Sequence, residues 1–299
     1  MNRRQSCRNL LAFFAAAGLA GCQTPPAPAP VAPPSLPIKP PRPPRIGLAL
    51  GGGAARGFAH IGVIQVLEEA GIRPDLVVGT SAGSLVAALY AAGRSGAELA
   101  RVALMMDESA ITDWSVPGRG LIRGEALARY VREQTGGRTI EQLSMPLGIV
   151  ATDLDNGAGV LFQRGDVGAA VRASSAVPAV FQPVLIAGRE YVDGGLVSPV
   201  PVRFARQMGA DLVIAVDISS PPDGNATGDP FKMLLQTFAI MGKSINQLEL
   251  KDADIVIRPR LLGVSSADFT ARKRAIESGR EAALAGLANL RLRVLAATR

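Results

Sequence analysis

Twice in this chain an apolar run ends abruptly in glycine and restarts at once as a helix, and no other feature restricts its fold as tightly. Residues 46–50 run into Gly51-Gly52-Gly53-Ala54-Ala55-Arg56-Gly57, after which Ile61, Ile64, Val66 and Leu67 recur at helical spacing. Residues 76–78 run into Gly79-Thr80-Ser81-Ala82-Gly83, and small and aliphatic residues over 82–92 predict a helix directly behind. Further helices are expected over 96–106, 124–134 and 202–208, with a long one closing the chain over 272–295. Strands are expected at 147–153, 160–163, 184–186, 189–192, 212–217 and 255–258, with tight turns at Asn156-Gly157 and Ala187-Gly188. Strands alternating with helices predict an α/β fold, a mainly parallel sheet covered on both sides. The 299 residues suffice for one substantial core, and no internal repeat is present.

The opening segment reads as something other than the folded domain. Residues 1–9 are basic and residues 10–20 form an apolar run too short for an ordinary membrane helix. This is the pattern of a secretory signal. It ends in Leu19-Ala20-Gly21-Cys22, which resembles the bacterial lipobox, in which the cysteine is acylated and becomes the first residue. Gln23 in the next position resembles lipoproteins sent on to the outer membrane, so the expected location is its periplasmic face. Cys7 and Cys22 are the two cysteines, and on this reading the mature protein carries no free thiol, disulfide or cysteine-based metal site. Residues 24–44 contain 11 prolines and should form an extended tether reaching ~60 Å. The organisation expected is therefore a signal at 1–21, a lipidated Cys22 with tether at 22–44, and a folded domain at 45–299.

Charge is a weak guide once that segment is set aside. Three of the 32 basic residues, Arg3, Arg4 and Arg8, lie within it, leaving 29 against 25 acidic and reducing +7 to +4. Aromatic residues make up only 4% of the chain, so the stacking platforms of single-strand binders are missing and no nucleic-acid partner is expected. A weak attraction to anionic headgroups is compatible with the remaining charge.

Chemistry is concentrated in three places. Gly79-Thr80-Ser81-Ala82-Gly83 stands between strand and helix, the context in which G-x-S-x-G forms a nucleophile elbow with an exposed Ser81 Oγ. The 51–57 loop lacks the Gly-Lys-Ser/Thr of a Walker loop, and Arg56 occupies the last glycine position of a dinucleotide fingerprint. What remains is a run of exposed backbone N–H groups, which beside an activated serine would act as an oxyanion hole, with Arg56 bracing the loop. A serine nucleophile also needs a base. The single histidine, His60, lies upstream of Ser81 within the first helix, so either it serves in an unusual order or the base is another group. Asp193, followed by Gly194-Gly195 at the end of a strand, is the evident carboxylate.

G-G-G-x-x-R-G, then G-x-S-x-G, then D-G-G, in that order, resembles the patatin-like phospholipase family. Ala151-Thr152-Asp153-Leu154, the block from Arg172 to Phe181, and 197–201 resemble its bacterial members too, so the resemblance covers roughly 45–258. It implies a three-layer α/β/α sandwich and a Ser–Asp dyad with Ser81 as nucleophile and Asp193 as base. Backbone N–H groups around Gly52, Gly53 and Ala54 would form the oxyanion hole. The implied substrate is a lipid ester (phospholipid, lysophospholipid or acylglycerol), and no metal or organic cofactor is required. The same acyl-enzyme could serve an acyltransferase, and a catalytically idle lipid-binding lipoprotein is the alternative of another class. On this reading His60 is a packed or capping residue, and Asp153-Leu154-Asp155-Asn156-Gly157 a hairpin turn in preference to a calcium loop. Lys243 lacks an elbow for a Ser–Lys pair. The apolar stretch 231–241 is expected as a core-facing helix, although with the Trp114 segment it could line an acyl pocket or touch membrane.

If Cys22 carries the anchor, Cys22→Ser should shift the protein out of the membrane fraction and abolish acyl-lipid labelling; wild-type protein found soluble and unlipidated would contradict the anchor.

Overall fold

The computed structural model describes residues 42–114, 119–222, 227–264 and 268–298; the signal, Cys22 and nearly all of the tether lie outside the described residues. In chain order the elements begin with β1 (Ile46–Leu50), α1 (Phe58–Glu69), β2 (Leu76–Thr80), α2 (Ala82–Ala91) and α3 (Gly96–Met105). Next come β3 (Gly120–Ile122), α4 (Glu125–Gln134), β4 (Leu147–Asp153), β5 (Gly159–Phe162) and α5 (Val167–Ser174). Three strands, β6 (Ala179–Phe181), β7 (Val184–Ile186) and β8 (Arg189–Asp193), precede α6 (Val202–Gln207) and β9 (Leu212–Val216). Helix α7 (Pro230–Glu249), β10 (Ile255–Ile257) and α8 (Arg272–Ala296) complete the chain.

The main sheet has the order β10-β9-β1-β2-β4-β8-β7, with β5 pairing to β4. Pairings from β10 to β4 are parallel, whereas the β4–β8, β8–β7 and β4–β5 pairings are antiparallel. The sheet is thus mainly parallel, as expected. Every residue of β1, β2, β4 and β9 is buried, which explains why these strands read as continuous apolar runs without alternation. Their side chains alternate between two cores. Leu48, Leu50, Val77, Ile149, Ile214 and Val216 pack with residues of α1, α2 and α8. Ala49, Val78, Val150, Val213 and Ala215 pack instead with Val202, Phe204 and Ala205 of α6. Period-two side chains on a strand feeding two cores is what a three-layer α/β/α arrangement requires.

Local signals account for the helix starts. Ser95 and Glu98 form a capping box at α3. Asp166 caps α5, its side chain accepting from the Ala169 N–H at 2.7 Å. Asp229 caps α7, with Pro230 in the first turn. The Asn156-Gly157 hairpin forms as expected, with Gly157 at φ 71° and its N–H donating to Asp153 O. Of the two readings of 231–241, the core-facing one fails: the stretch belongs to the longer α7, whose Met233, Ile240 and Met241 are 53%, 50% and 46% exposed. Leu235, Phe238 and Met241 line a cavity instead, as described below.

Helices α1 and α8 meet backbone to backbone. A Cβ on Gly62 would lie 1.9 Å from Ile276 O, and one on Gly279 would lie 2.0 Å from Ala59 O. Backbone oxygens cannot swing aside, so Gly279→Ala is expected to lower stability by about 3 kcal/mol, read from the urea midpoint. Gly286, in the same helix, has nothing near its would-be Cβ, and Gly286→Ala should instead add about 0.5–1 kcal/mol. Equal effects at the two sites would refute the close-packing account.

Candidate active site

Ser81 links β2 to α2 at φ 52°, ψ −125°, a backbone conformation that L residues rarely hold. Its neighbours leave no room for side chains. A Cβ on Gly79 would stand 2.4 Å from Gly83 O, and one on Gly83 would stand 2.1 Å from Leu50 O. The Ser81 N–H donates to Ser174 Oγ at 2.9 Å, and Ser174 donates onward to Val150 O at 2.5 Å. The Ser81 carbonyl accepts from Ser84 Oγ at 2.6 Å. The backbone on either side of the side chain is therefore pinned while Oγ opens into a cavity. Ser174 is fully buried, and its role was missed in the sequence. The helix that carries it was signalled by the Asp166 cap followed by Val167, Ala170 and Val171 at helical spacing.

Asp193 arrives from β8. Adjacent residues of β4, Val150 and Ala151, pair respectively with Thr80 and Asp193, so the ends of the serine and aspartate strands occupy consecutive rungs. The Asp193 N–H donates to Ala176 O, and its carbonyl accepts from Thr152 Oγ1 at 2.8 Å. One carboxylate oxygen, Oδ1, accepts from the Gly195 N–H at 2.6 Å. Burial pushes the carboxyl up to about 6, opposed by the Ser81 hydroxyl and the Gly195 N–H. Oδ2 is buried without a completed hydrogen bond. Serine and aspartate are thus within reach but not closed, as is common before substrate binds.

The glycine loop is clamped from three sides. Gly51 N–H donates to Val216 O at 3.1 Å, and Gly52 N–H donates to Pro199 O at 2.9 Å. His60 Nε2–H donates to Gly51 O at 2.8 Å. Gly52 was expected among the oxyanion donors, but its N–H is occupied by Pro199. Among the described residues the N–H groups of Gly53 and Ala54 have no protein acceptor, and Ala54 is held at φ 50°. The loop lies against Ser81, for a Cβ on Gly52 would stand 3.9 Å from Ser81 Oγ. Arg56 braces it as expected: Nε donates to Gly53 O at 3.3 Å and Nη1 to Ser220 Oγ. Burial lowers that guanidinium to about 10, against the attraction of Asp217, and it stays charged at neutral pH. His60 is fully buried, which lowers it to about 4 despite its bond to Gly51 O, so it is a neutral packed side chain.

Ser81, Asp193, Gly52, Gly53 and Ala54 all line one cavity of about 650 Å³. Its walls are Val177, Val180 and Phe181 on one side and Leu235, Phe238 and Ala239 of α7 on the other. Lys232 and Lys243 of α7 also border it. Trp114 does not: it is 73% exposed and bridges Ile122 through its backbone. A pinned hydroxyl, a buried carboxylate and uncommitted amides beside an apolar chamber are the parts needed for acyl transfer from an apolar ester.

Comparison with known proteins points the same way. The family model described as patatin-like phospholipase matches residues 48–206. An uncharacterized NTE family protein of Mycobacterium tuberculosis is 43% identical over 185 residues, covering 61% of this chain and 51% of the relative. Patatin-like phospholipase domain-containing protein 6 of Mus musculus is 37% identical over 183 residues, covering 58% of this chain and 14% of that protein. The chain thus matches about half the length of its mycobacterial relative and a small part of the mouse one. Among solved structures, VipD from Legionella pneumophila shares the fold, with a TM-score of 0.58 at 16% identity over 83% of this chain and 68% of that one.

Removing the His60 donor leaves the buried Gly51 carbonyl unpaired and a hole behind it. His60→Ala is expected to cost about 3 kcal/mol in chemical denaturation; an unchanged midpoint would show that the bond to Gly51 does not hold the loop.

Proposed function

Because the chain belongs to the patatin-like phospholipase family, we propose that it is a serine acyl hydrolase of lipid esters, working through a Ser81–Asp193 dyad. The observation that carries this reading is the strained Ser81 opening into the same apolar cavity as a buried Asp193 and the amides of Gly53 and Ala54. In the reaction, the Asp193 carboxylate takes the proton of Ser81 Oγ as that oxygen attacks the ester carbonyl. The negative charge that develops on the carbonyl oxygen is met by the Gly53 and Ala54 N–H groups, already oriented by the clamped loop. Collapse of this intermediate expels the alcohol, which recovers the proton from Asp193, and leaves an acyl ester on Ser81. Water then attacks that ester, giving a proton to Asp193, and as the intermediate collapses Asp193 returns that proton to Ser81 Oγ and the fatty acid departs.

The dyad reading is supported by the neutral, buried state of His60 and its engagement with Gly51 O. The apolar walls of the cavity favour an acyl chain over a polar substrate. The same proposal has the protein act as a lipoprotein held by acylated Cys22 at the periplasmic face of the outer membrane, supported by Leu19-Ala20-Gly21-Cys22.

Ser81→Ala should abolish p-nitrophenyl ester hydrolysis and fluorophosphonate labelling while the circular dichroism spectrum is retained. Asp193→Asn keeps the shape without the proton acceptor and should lose about 10²–10⁴-fold in kcat, whereas a folded His60→Gln should keep most of it. Asp193 is competent only when ionised, so kcat/KM should rise as pH climbs through about 6 and level off above. That limb belongs to the aspartate, since His60 would titrate near 4. It should therefore persist in His60→Gln. A folded His60→Gln as inactive as Asp193→Asn would put imidazole in the machinery and end the dyad.

A further inference from the structure

Helix α7 is fixed at its carboxyl end by the one charged residue it buries. Lys232 and Lys243 are exposed, whereas Glu249 is only 6% exposed. Both oxygens of its carboxylate are engaged. Oε1 accepts from Ser198 Oγ at 2.9 Å and from Arg203 Nη1, and Oε2 accepts from the Arg203 N–H at 3.3 Å. Arg203 Nη2 donates onward to Val197 O at 3.0 Å. Burial pushes the Glu249 carboxyl upward, opposed by Ser198 and Arg203. An ion pair taken out of water adds little to stability by itself, so its weight lies in what it holds in place.

It holds one short segment that touches all three glycine-rich stretches. Ser198 is fully buried. Its N–H donates to Gly194 O at 2.9 Å, in the turn behind Asp193. Its carbonyl accepts at 2.9 Å from Oγ1 of Thr80, the residue before Ser81. The next residue, Pro199, accepts the Gly52 N–H. A Cβ on Gly51 would stand 2.9 Å from Val200 Cγ2, so the glycine loop also packs closely on this segment. The Ser198 side chain alone points elsewhere, to Glu249.

We infer that Glu249 is a positioning residue for the reaction at Ser81: by holding Ser198 it keeps the Pro199 carbonyl on the Gly52 N–H and leaves the Gly53 and Ala54 N–H groups for the oxyanion. The inference rests on the hydrolase reading and adds to it a residue that does not line the chamber. A carboxylate suits the place because three donors from two residues converge on it. Glutamine has one acceptor oxygen and two donor hydrogens, so Glu249→Gln sets a donor against a donor at one of these bonds. It also removes the charge, and charge-assisted hydrogen bonds are roughly twice as strong as neutral ones.

In the full chain, Glu249→Gln should lower kcat for a soluble p-nitrophenyl ester about tenfold, counted per site that takes up fluorophosphonate, with KM within about twofold. Ser198→Ala cuts the same link while leaving Glu249 to Arg203. It should give a similar loss, and the double variant little more; it also carries the test if Glu249→Gln does not fold. Asp254→Asn is the control for stability alone. Asp254 pairs with Arg206 and accepts from the Val213 N–H, and among the described residues none of its bonds reaches 197–200. That variant should lower the urea midpoint and leave kcat per site within about twofold. An unchanged kcat in either folded variant of the Glu249–Ser198 link overturns the proposal. So do losses that multiply in the double variant, or an equal loss in Asp254→Asn. Amide hydrogen exchange reads the loop without turnover: exchange over 51–57 should quicken about tenfold in Glu249→Gln, while that over 46–50 stays as in wild type. A wild type that cleaves no ester and takes up no fluorophosphonate removes the hydrolase reading, and exchange then decides whether Glu249 holds the loop. Unchanged exchange over 51–57 overturns the proposal in either case.

Discussion

The backbone of Ser81 is the constraint around which the rest is arranged. A residue at φ 52° between a strand and a helix is strained, and it persists only because its surroundings leave it no alternative. Parallel pairing sets Leu50 beside Gly79, so the ends of β1 and β2 lie side by side. With Gly83 pressed onto Leu50 O, α2 has a single way of leaving the sheet. Ser174 then fastens the Ser81 amide to Val150, one strand further on. Three neighbouring strands therefore hold one turn.

The position of that turn follows from the topology. Strand β1 is followed by β2 on one side, while β9 and then β10 extend the sheet on the other. Such a reversal opens a crevice at the carboxyl ends of the strands, where loops diverge above and below the sheet. The glycine loop leaves β1 at that crevice, tied to Val216 at the end of β9 and to Pro199 from the segment after Asp193. Ser81, the candidate amides and the Asp193 carboxylate come from three separate stretches of chain and meet there for the same reason.

Burial does different work on the two groups that could act as base. Both Asp193 and His60 are taken from water, and each is pushed toward its neutral form. For the aspartate that means a pKa of about 6, high enough to accept a proton usefully and low enough to be ionised at neutral pH. For the histidine it means about 4, which leaves imidazole as a fixed hydrogen-bond donor to Gly51 O. The same desolvation thus suits one group to proton transfer and the other to holding a loop.

Much of this was legible in the sequence because the features concerned are local. Strands buried on both faces have to be apolar throughout, an elbow has to have glycine two residues to either side, and an uncommitted amide run has to lack side chains. The sheet core, Ser81, the glycine loop and Asp193 could be named on those grounds. Tertiary structure alone decided which groups those parts would meet. That Gly52 donates to Pro199, leaving Gly53 and Ala54, depends on a loop about 150 residues away in sequence. That Ser174 holds the elbow depends on α5 packing beneath β4, and no pattern around Ser174 announces its partner. Helix α7 is the clearest case: its apolar residues looked like core because hydrophobicity in a sequence signals burial, yet the sheet was already covered by α1, α2, α6 and α8. What remained for α7 was to wall a chamber with one side and to face solvent with the other, an outcome set by the space its neighbours left and absent from its own sequence.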